Sequence, residues 1–106
     1  MDLTKNVNLI KLYDLYGGLL TEKQKQVFEL YVKKDLSLKE VSEILNITRQ
    51  AVKFTQDSIE KSLNHYEKIL GVEDKLETIK TSLLEIKNLS NAPDIKSKID
   101  KLLEEI

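Results

Sequence analysis

The 106-residue sequence contains no cysteine, one proline, three glycines and one histidine. Without cysteine the chain has neither disulfides nor thiolate metal sites. The lone His65 has no second histidine or cysteine with which to share a metal ion, so no metal or cofactor is expected. Because few residues break helices and 33% are charged, the composition predicts an all-α protein.

Long apolar runs are also missing. No segment approaches the ~20 apolar residues that span a bilayer, so no membrane span is expected. The first residues, MDLTKNVNL, have neither a basic start nor an apolar block, and they predict no secretory signal. A cytoplasmic location is therefore the expectation.

Neither sign of charge dominates, with 17 Lys and Arg against 18 Asp and Glu. Nucleic-acid binders usually carry a basic surface, because contacts to phosphate supply much of their affinity. Any basic surface on this chain must therefore be local.

Catalytic motifs are absent as well. There is no cysteine nucleophile and no serine beside the histidine, and Gly17-Gly18 lacks the Gly-Lys-Ser/Thr ending of a phosphate loop. We expect no enzymatic activity.

Apolar spacing and capping signals predict helices along the whole chain. The first covers about residues 4–16 and ends at Gly17-Gly18, where we expect a left-handed glycine. Capping boxes at Thr21 and Ser37 start the next two helices, of which the earlier one runs to about Lys33. The four tyrosines lie on or beside the apolar stripes, which favours packing over base stacking: Tyr13, Tyr16, Tyr31 and Tyr66.

The segment LSLKEVSEILNITRQAVKF, residues 36–54, predicts two helices joined by a tight turn. Asn46 is suited to positive φ, and Thr48 is a good N-cap for a helix over residues 49–70. This pattern is typical of a helix-turn-helix, and the capping signals at Ser37 and Thr48 favour it over an ordinary helical hairpin. The turn and the apolar wedge comprise Val41, Ser42, Leu45, Asn46, Ile47 and Val52.

The long helix is predicted to have an inner and an outer face. Its inner side carries Val52, Ile59, Leu63, Tyr66 and Leu70. Its outer face carries Arg49, Gln50, Lys53, Asp57, Glu60 or Lys61, and Asn64.

The start of this helix is the candidate nucleic-acid surface. Arg49 can bond guanine and Gln50 can bond adenine, each in bidentate fashion. Thr48, Lys53 and Lys39 complete the predicted set as contacts around the phosphate backbone. The alternative for each is an ordinary solvated side chain.

Beyond Gly71 the pattern predicts a helical hairpin, broken at Ser90-Asn91-Ala92-Pro93. We expect two domains, residues 1–71 and 72–106, with the second docking on the first or forming a homodimer. The predicted dimerisation residues are Leu76, Ile79, Leu83, Ile86, Ile99 and Leu102.

Four segments carry a family resemblance: YDLYGGLLTEKQ, DLSLKEVSEI, ITRQAV and HYEKILG. Together they resemble the YlxM family of small bacterial helix-turn-helix proteins over about residues 12–71. The same region is more distantly similar to the DNA-binding region of primary sigma factors. The resemblance implies a winged-helix-like or sigma-factor-like helical bundle with a C-terminal helical extension. The chain departs from the family at Gln56, Asp57 and Ser58, where members tend to carry an apolar residue and basic residues.

The resemblance implies a regulatory nucleic-acid-binding protein that takes part in the signal recognition particle pathway. Its ligand would be duplex DNA, or the small RNA or GTPase of that particle. The acidic residues on the recognition helix leave a further alternative, a non-enzymatic protein-interaction module that uses a degenerate helix-turn-helix.

Overall fold

The protein is all-α. Its structure, a computed structural model, describes residues 3–106, and within them there is no strand and hence no β-hairpin of the kind that forms a wing. These residues form α1 (Leu3–Tyr16), α2 (Glu22–Phe28), α3 (Leu38–Leu45), α4 (Arg49–Leu70), α5 (Val72–Leu89) and α6 (Pro93–Glu105).

The chain divides into two compact units, and the boundary lies between Leu70 and Gly71. We call the first the helix-turn-helix unit and the second, Gly71–Ile106, the tail hairpin. This boundary falls one residue before the predicted one. That each unit is an independent domain stays a prediction.

The helix-turn-helix unit is built around one apolar core that α1, α2, α3 and α4 share. Phe28 lies at its centre and is stacked on Tyr13, with ring centroids 4.1 Å apart and 6° between the ring planes. The Tyr16 hydroxyl donates to Glu67 Oε1 at 2.6 Å and joins α1 to α4. The buried cluster consists of Leu9, Leu12, Tyr16, Leu20, Val27, Phe28, Val32, Val41, Val52, Ile59 and Leu63. The tyrosines therefore serve packing, as the sequence predicted.

The Gly17-Gly18 pair ends α1, but not in the expected way. Residues Gly17–Leu19 form a 3₁₀ turn, and neither glycine has a positive φ, so the predicted left-handed conformation is wrong. A side chain at Gly17 would place its Cβ 3.2 Å from ring atoms of Tyr13. The backbone therefore approaches that ring closely, and a larger residue at position 17 would make the Tyr13 ring shift by a few tenths of an ångström.

The helix that begins at Glu22 reaches Lys33, as predicted, but its last turn is π-helical over Glu29–Lys33. The Lys34 N–H donates to the Glu29 carbonyl at 3.0 Å. Asp35 then adopts a left-handed conformation with φ of 54°, which was not predicted. Aspartate tolerates this conformation better than most residues, and here it directs the chain into α3.

The tail hairpin consists of α5 and α6, which pack on each other. Lys87 Nζ lies 2.7 Å from Asp100 Oδ1 and links the two helices. Ile99 is 5% exposed in a single chain, so its assignment to a dimer contact needs correction: it already serves the packing of the monomer. Ile79, Ile86 and Leu102 remain 46%, 50% and 43% exposed.

None of the helices in residues 3–106 combines the length and the apolar character needed to cross a membrane.

Candidate nucleic-acid interface

A reciprocal capping box opens α3, the first helix of the motif. The Glu40 N–H donates to Ser37 Oγ at 3.0 Å, and the Ser37 N–H donates to Glu40 Oε1 at 3.1 Å. The hydrogen bonds from the backbone and the side chain of Ser37 lower the pKa of the Glu40 carboxyl, because they favour its charged form. Local chemistry alone therefore fixes where this helix begins.

The turn after α3 is a left-handed bend at Asn46, where φ is 55° and ψ is 48°. The Ile47 N–H donates to the Ser42 carbonyl at 3.0 Å, which is the hydrogen bond of a Schellman-type helix end. The Ser42 side chain is nearly buried, and its Oγ donates to the Lys39 carbonyl at 2.7 Å.

The wedge residues lie where α3 meets α4. Val41 and Val52 are fully buried, one from each helix. Leu45 and Ile47 are partly buried and pack against the same core. The two helices are therefore joined by a short turn and by shared apolar contacts, which is the arrangement of a helix-turn-helix.

The start of α4 is held by Thr48, whose Oγ1 accepts a hydrogen bond from the Ala51 N–H at 3.0 Å. Arg49 and Gln50 follow directly and are exposed. Arg49 is the only arginine in the sequence; the other basic residues are lysines and one histidine. The only guanidinium group of the chain therefore lies at a helix N-terminus, where the helix dipole also favours the binding of anions.

The next cation along α4, Lys53, is already engaged. Its Nζ lies 3.1 Å from Asp57 Oδ1, one helical turn later. The hydrogen bond and the charge of Asp57 raise the pKa of the Lys53 ammonium. A phosphate group at Lys53 would have to compete with this carboxylate. Lys39, the remaining predicted contact, is exposed on α3.

The inner face of α4 differs from the prediction at two positions. Val52, Ile59 and Leu63 are buried, but Leu70 is 52% exposed, because α4 extends beyond the core that it covers. Gln56 is 1% exposed, and neither its Oε1 nor its Nε2 has a hydrogen-bond partner among the residues that the structure describes. The structure therefore buries an amide on the inner face of α4.

Phe54 is an exposed side chain near the start of α4 that sequence reasoning did not single out. It is 77% exposed and follows Gln50 by four residues, which is one helical turn. That spacing, together with the inward position of Val52 two residues earlier, is the signal that would have identified it.

A metal centre has no basis in residues 3–106, because no three His, Asp or Glu side chains there lie close enough together to hold an ion. His65 is exposed on α4, with its ring 6.2 Å from the ring of Tyr66.

Comparison with known proteins agrees with this geometry. The model of the family UPF0122, described as "Putative helix-turn-helix protein, YlxM / p13 like", matches residues 3–105. The chain belongs to this family. The match includes the tail hairpin, which lies beyond the region of the resemblance noted in the sequence.

Several UPF0122 proteins are similar to this one over most of its length. One from Thermoanaerobacter sp. (strain X514) is 40% identical over 102 residues, covering 90% of this chain and 87% of the relative. One from Clostridium perfringens (strain SM101 / Type A) is 43% identical over 100 residues, covering 90% and 89%. One from Mycoplasma capricolum subsp. capricolum is 38% identical over 104 residues, covering 98% and 90%.

Proposed function

We propose that this UPF0122 protein is a non-enzymatic regulatory protein that binds duplex DNA through the first turns of α4. The observation that carries the proposal is the exposure of Arg49 and Gln50 at the capped start of the second helix of the motif. In helix-turn-helix proteins that part of the recognition helix contacts base edges in the major groove.

The chemistry of these side chains fits base recognition. The guanidinium of Arg49 matches the O6 and N7 acceptors of guanine, and the amide of Gln50 matches N6 and N7 of adenine. Thr48, Lys39 and Lys53 are the proposed contacts to the phosphate backbone. Such contacts set the register of the protein on the duplex without reading its sequence.

The charge of the site predicts weak binding that depends strongly on salt. The net charge is −1, and the carboxylate of Asp57 neutralises Lys53 on the same face. Affinity then depends on the few remaining cations, and each phosphate contact releases counterions.

The test is fluorescence anisotropy of a labelled duplex, enriched from a random pool on the wild-type protein, at salt concentrations from ~50 to ~200 mM. Arg49→Ala should weaken binding about five- to 150-fold if a bidentate base contact is lost. Lys98→Ala is the matched control, since it removes an exposed positive charge from the tail hairpin and should leave affinity unchanged. If no duplex is retained even at the lowest salt, the proposal fails.

A second candidate is a role in the signal recognition particle pathway, through its small RNA or its GTPase. The exposed Asp57 and the partly buried Glu60 favour the GTPase over either nucleic acid, because acids on a groove-facing helix meet phosphate repulsion. Titration of structured RNA and of the purified GTPase under the same conditions distinguishes these ligands. Arg49→Glu should impair either nucleic-acid version but spare a pure protein-interaction module.

We also propose that the tail hairpin mediates a homodimer through Leu76, Ile79, Leu83, Ile86 and Leu102. Three of these are 43% to 50% exposed in a single chain, and burying apolar surface favours association. Sedimentation should show a dimer that Ile79→Glu combined with Ile86→Glu dissociates. Leu19→Glu, which changes a 60% exposed residue of the other unit, is the control. A monomer at high micromolar concentration would contradict the dimer.

A further inference from the structure

Phe54 is a large apolar side chain that the fold does not use. It is 77% exposed, and among the large apolar residues of the described chain only Leu89 is more exposed, at 84%. The core-facing stripe of α4 runs through Val52 and Gln56, on either side of it in sequence. The ring of Phe54 therefore does not contribute to the core of the helix-turn-helix unit.

Its position on α4 groups it with the candidate base contacts. Gln50 and Phe54 lie one turn apart on the same face, and Arg49 and Lys53 lie beside them. Arg49 to Phe54 are the first six residues of α4, which occupy ~9 Å of helix axis. In helix-turn-helix proteins the N-terminal residues of the recognition helix are the ones that contact base edges.

The side chains around Phe54 leave it accessible. Lys53 is held by Asp57, one turn along the helix. Ser58, one turn after Phe54, is partly buried, and its Oγ accepts a hydrogen bond from Gln24 Nε2 at 3.4 Å. The surface beside the ring is formed by Phe54, Asp57, Ser58, Lys61 and Ser62.

The groove offers this ring one apolar feature. Phosphate, deoxyribose oxygens and base edges are polar, whereas the C5-methyl group of thymine is apolar, and phenylalanine is among the side chains that contact it. RNA lacks this methyl group, and the major groove of A-form RNA is too deep and narrow for side chains to read.

We infer that Phe54 determines specificity by contacting a thymine C5-methyl group, close to an adenine bonded by Gln50. The inference rests on the proposed binding of duplex DNA and adds the base that is read. It assigns this site a preference for duplex DNA containing thymine over the same sequence without the methyl group.

The test replaces thymine with uracil, which keeps base pairing and removes only the methyl group. Duplexes are first enriched from a random pool on the wild-type protein and then synthesised with either base. The wild type should bind the uracil version about three- to fivefold more weakly, the value of one buried methyl group. Phe54→Ala should bind both versions equally, and Phe54→Leu should keep a preference because it retains an apolar contact.

Ile69→Ala is the matched control, since it removes another exposed apolar residue from the last turn of α4. It should keep the full thymine preference. Circular dichroism on each variant verifies that α4 is intact, as expected for changes at exposed positions.

The outcomes separate the two proposals. If no duplex binds at low salt, the proposed function itself fails. If duplex binds with the expected loss in Arg49→Ala but is indifferent to the thymine-to-uracil change, only the role of Phe54 is overturned. Phe54 is likewise reassigned to a protein contact if Phe54→Ala keeps the thymine preference and loses binding to the GTPase.

Discussion

The two units of this protein are both helical, but they are stabilised differently. The helix-turn-helix unit has a continuous buried core from residues 9 to 63, whereas in the tail hairpin Ile99 is the apolar residue that is buried. Short helices are marginal in water unless they pack on something. The first unit therefore holds its helices by tertiary burial, and the tail depends on the packing of one pair of helices.

The helix starts show the same contrast. Thr21, Ser37 and Thr48 each cap a helix of the first unit through a side-chain oxygen. In the tail, α5 starts after Gly71 and α6 after Ala92, and neither residue makes a side-chain cap. The unit with the larger core also has the better-defined ends.

The largest effect should come from Phe28→Ala, which we expect to destabilise the first unit by about 3–5 kcal/mol through loss of packing and a cavity.

Ile99→Ala should reduce tail helicity without shifting the unfolding of the first unit. Tyrosine fluorescence measures the first unit alone, because all four tyrosines lie before Gly71, and far-ultraviolet circular dichroism measures both. Coincident shifts in both probes for Ile99→Ala would show that the units unfold together.

Gln56→Met should widen the difference in stability between the two units, because it removes an amide that is buried without a hydrogen-bond partner among the described residues. We expect the free energy of unfolding of the first unit to rise by about 1–3 kcal/mol, which is the usual cost of an unsatisfied buried polar group. Urea denaturation followed by tyrosine fluorescence measures this. Gln26→Met, at an exposed position, should have little effect. A loss of stability in Gln56→Met would show that the amide is hydrogen-bonded in the folded protein.

Asn46→Ala tests the bend that joins the two helices of the motif. An alanine forced into the left-handed conformation should cost about 1–2 kcal/mol. Asn46→Gly should retain most of the stability, because glycine has no Cβ to clash. Equal stability of both variants would contradict a strained backbone at this position, and Asn88→Ala on the exposed face of α5 controls for loss of an amide.

Removing a cap from the first unit and adding one to the tail hairpin should reduce the difference between the helix starts of the two units. Ser37→Ala should lower the stability of the first unit by about 1 kcal/mol. Ala92→Ser should raise the helicity of α6, because residue 92 has the extended backbone of an N-cap. Thermal unfolding by circular dichroism measures both changes. Unchanged helicity in Ala92→Ser would indicate that the start of α6 does not limit its stability.

The smallest predicted effect is a pH dependence at Glu40. Its pKa is lowered in the folded state, so its contribution to stability is present above the ordinary carboxyl pKa and is lost as pH falls through the lowered value. Carbon-13 NMR titration should show Glu40 losing its charge at a lower pH in the wild type than in Ser37→Ala. In Ser37→Ala the Glu40 pKa should return toward its ordinary range.

Local chemistry made much of the helix-turn-helix unit predictable. The caps at Ser37 and Thr48 and the bend at Asn46 depend on side chains within a few residues, and they set the bounds of α3 and α4. Features set by distant packing were not predictable. Gly17 lies close to a ring one turn earlier, and Gln56 is buried although its side chain is polar.

Helical spacing predicted part of the candidate site. Spacing placed Arg49 and Gln50 on the outer face at the start of α4, and the structure shows both exposed. The pairing of Lys53 with Asp57 follows the same four-residue spacing, but which partner a lysine takes depends on its rotamer. The same spacing places Phe54 on the outer face of α4. Its apolar side chain, however, favours a buried position, so its exposure was not predicted.

The length of α4 has a mechanical consequence. Its 22 residues extend over ~33 Å as one helix, so Arg49 and Leu70 are held at a fixed separation. Leu70 is 52% exposed, so a spectroscopic label attached there would report on the first turns of α4 from a known distance without touching them.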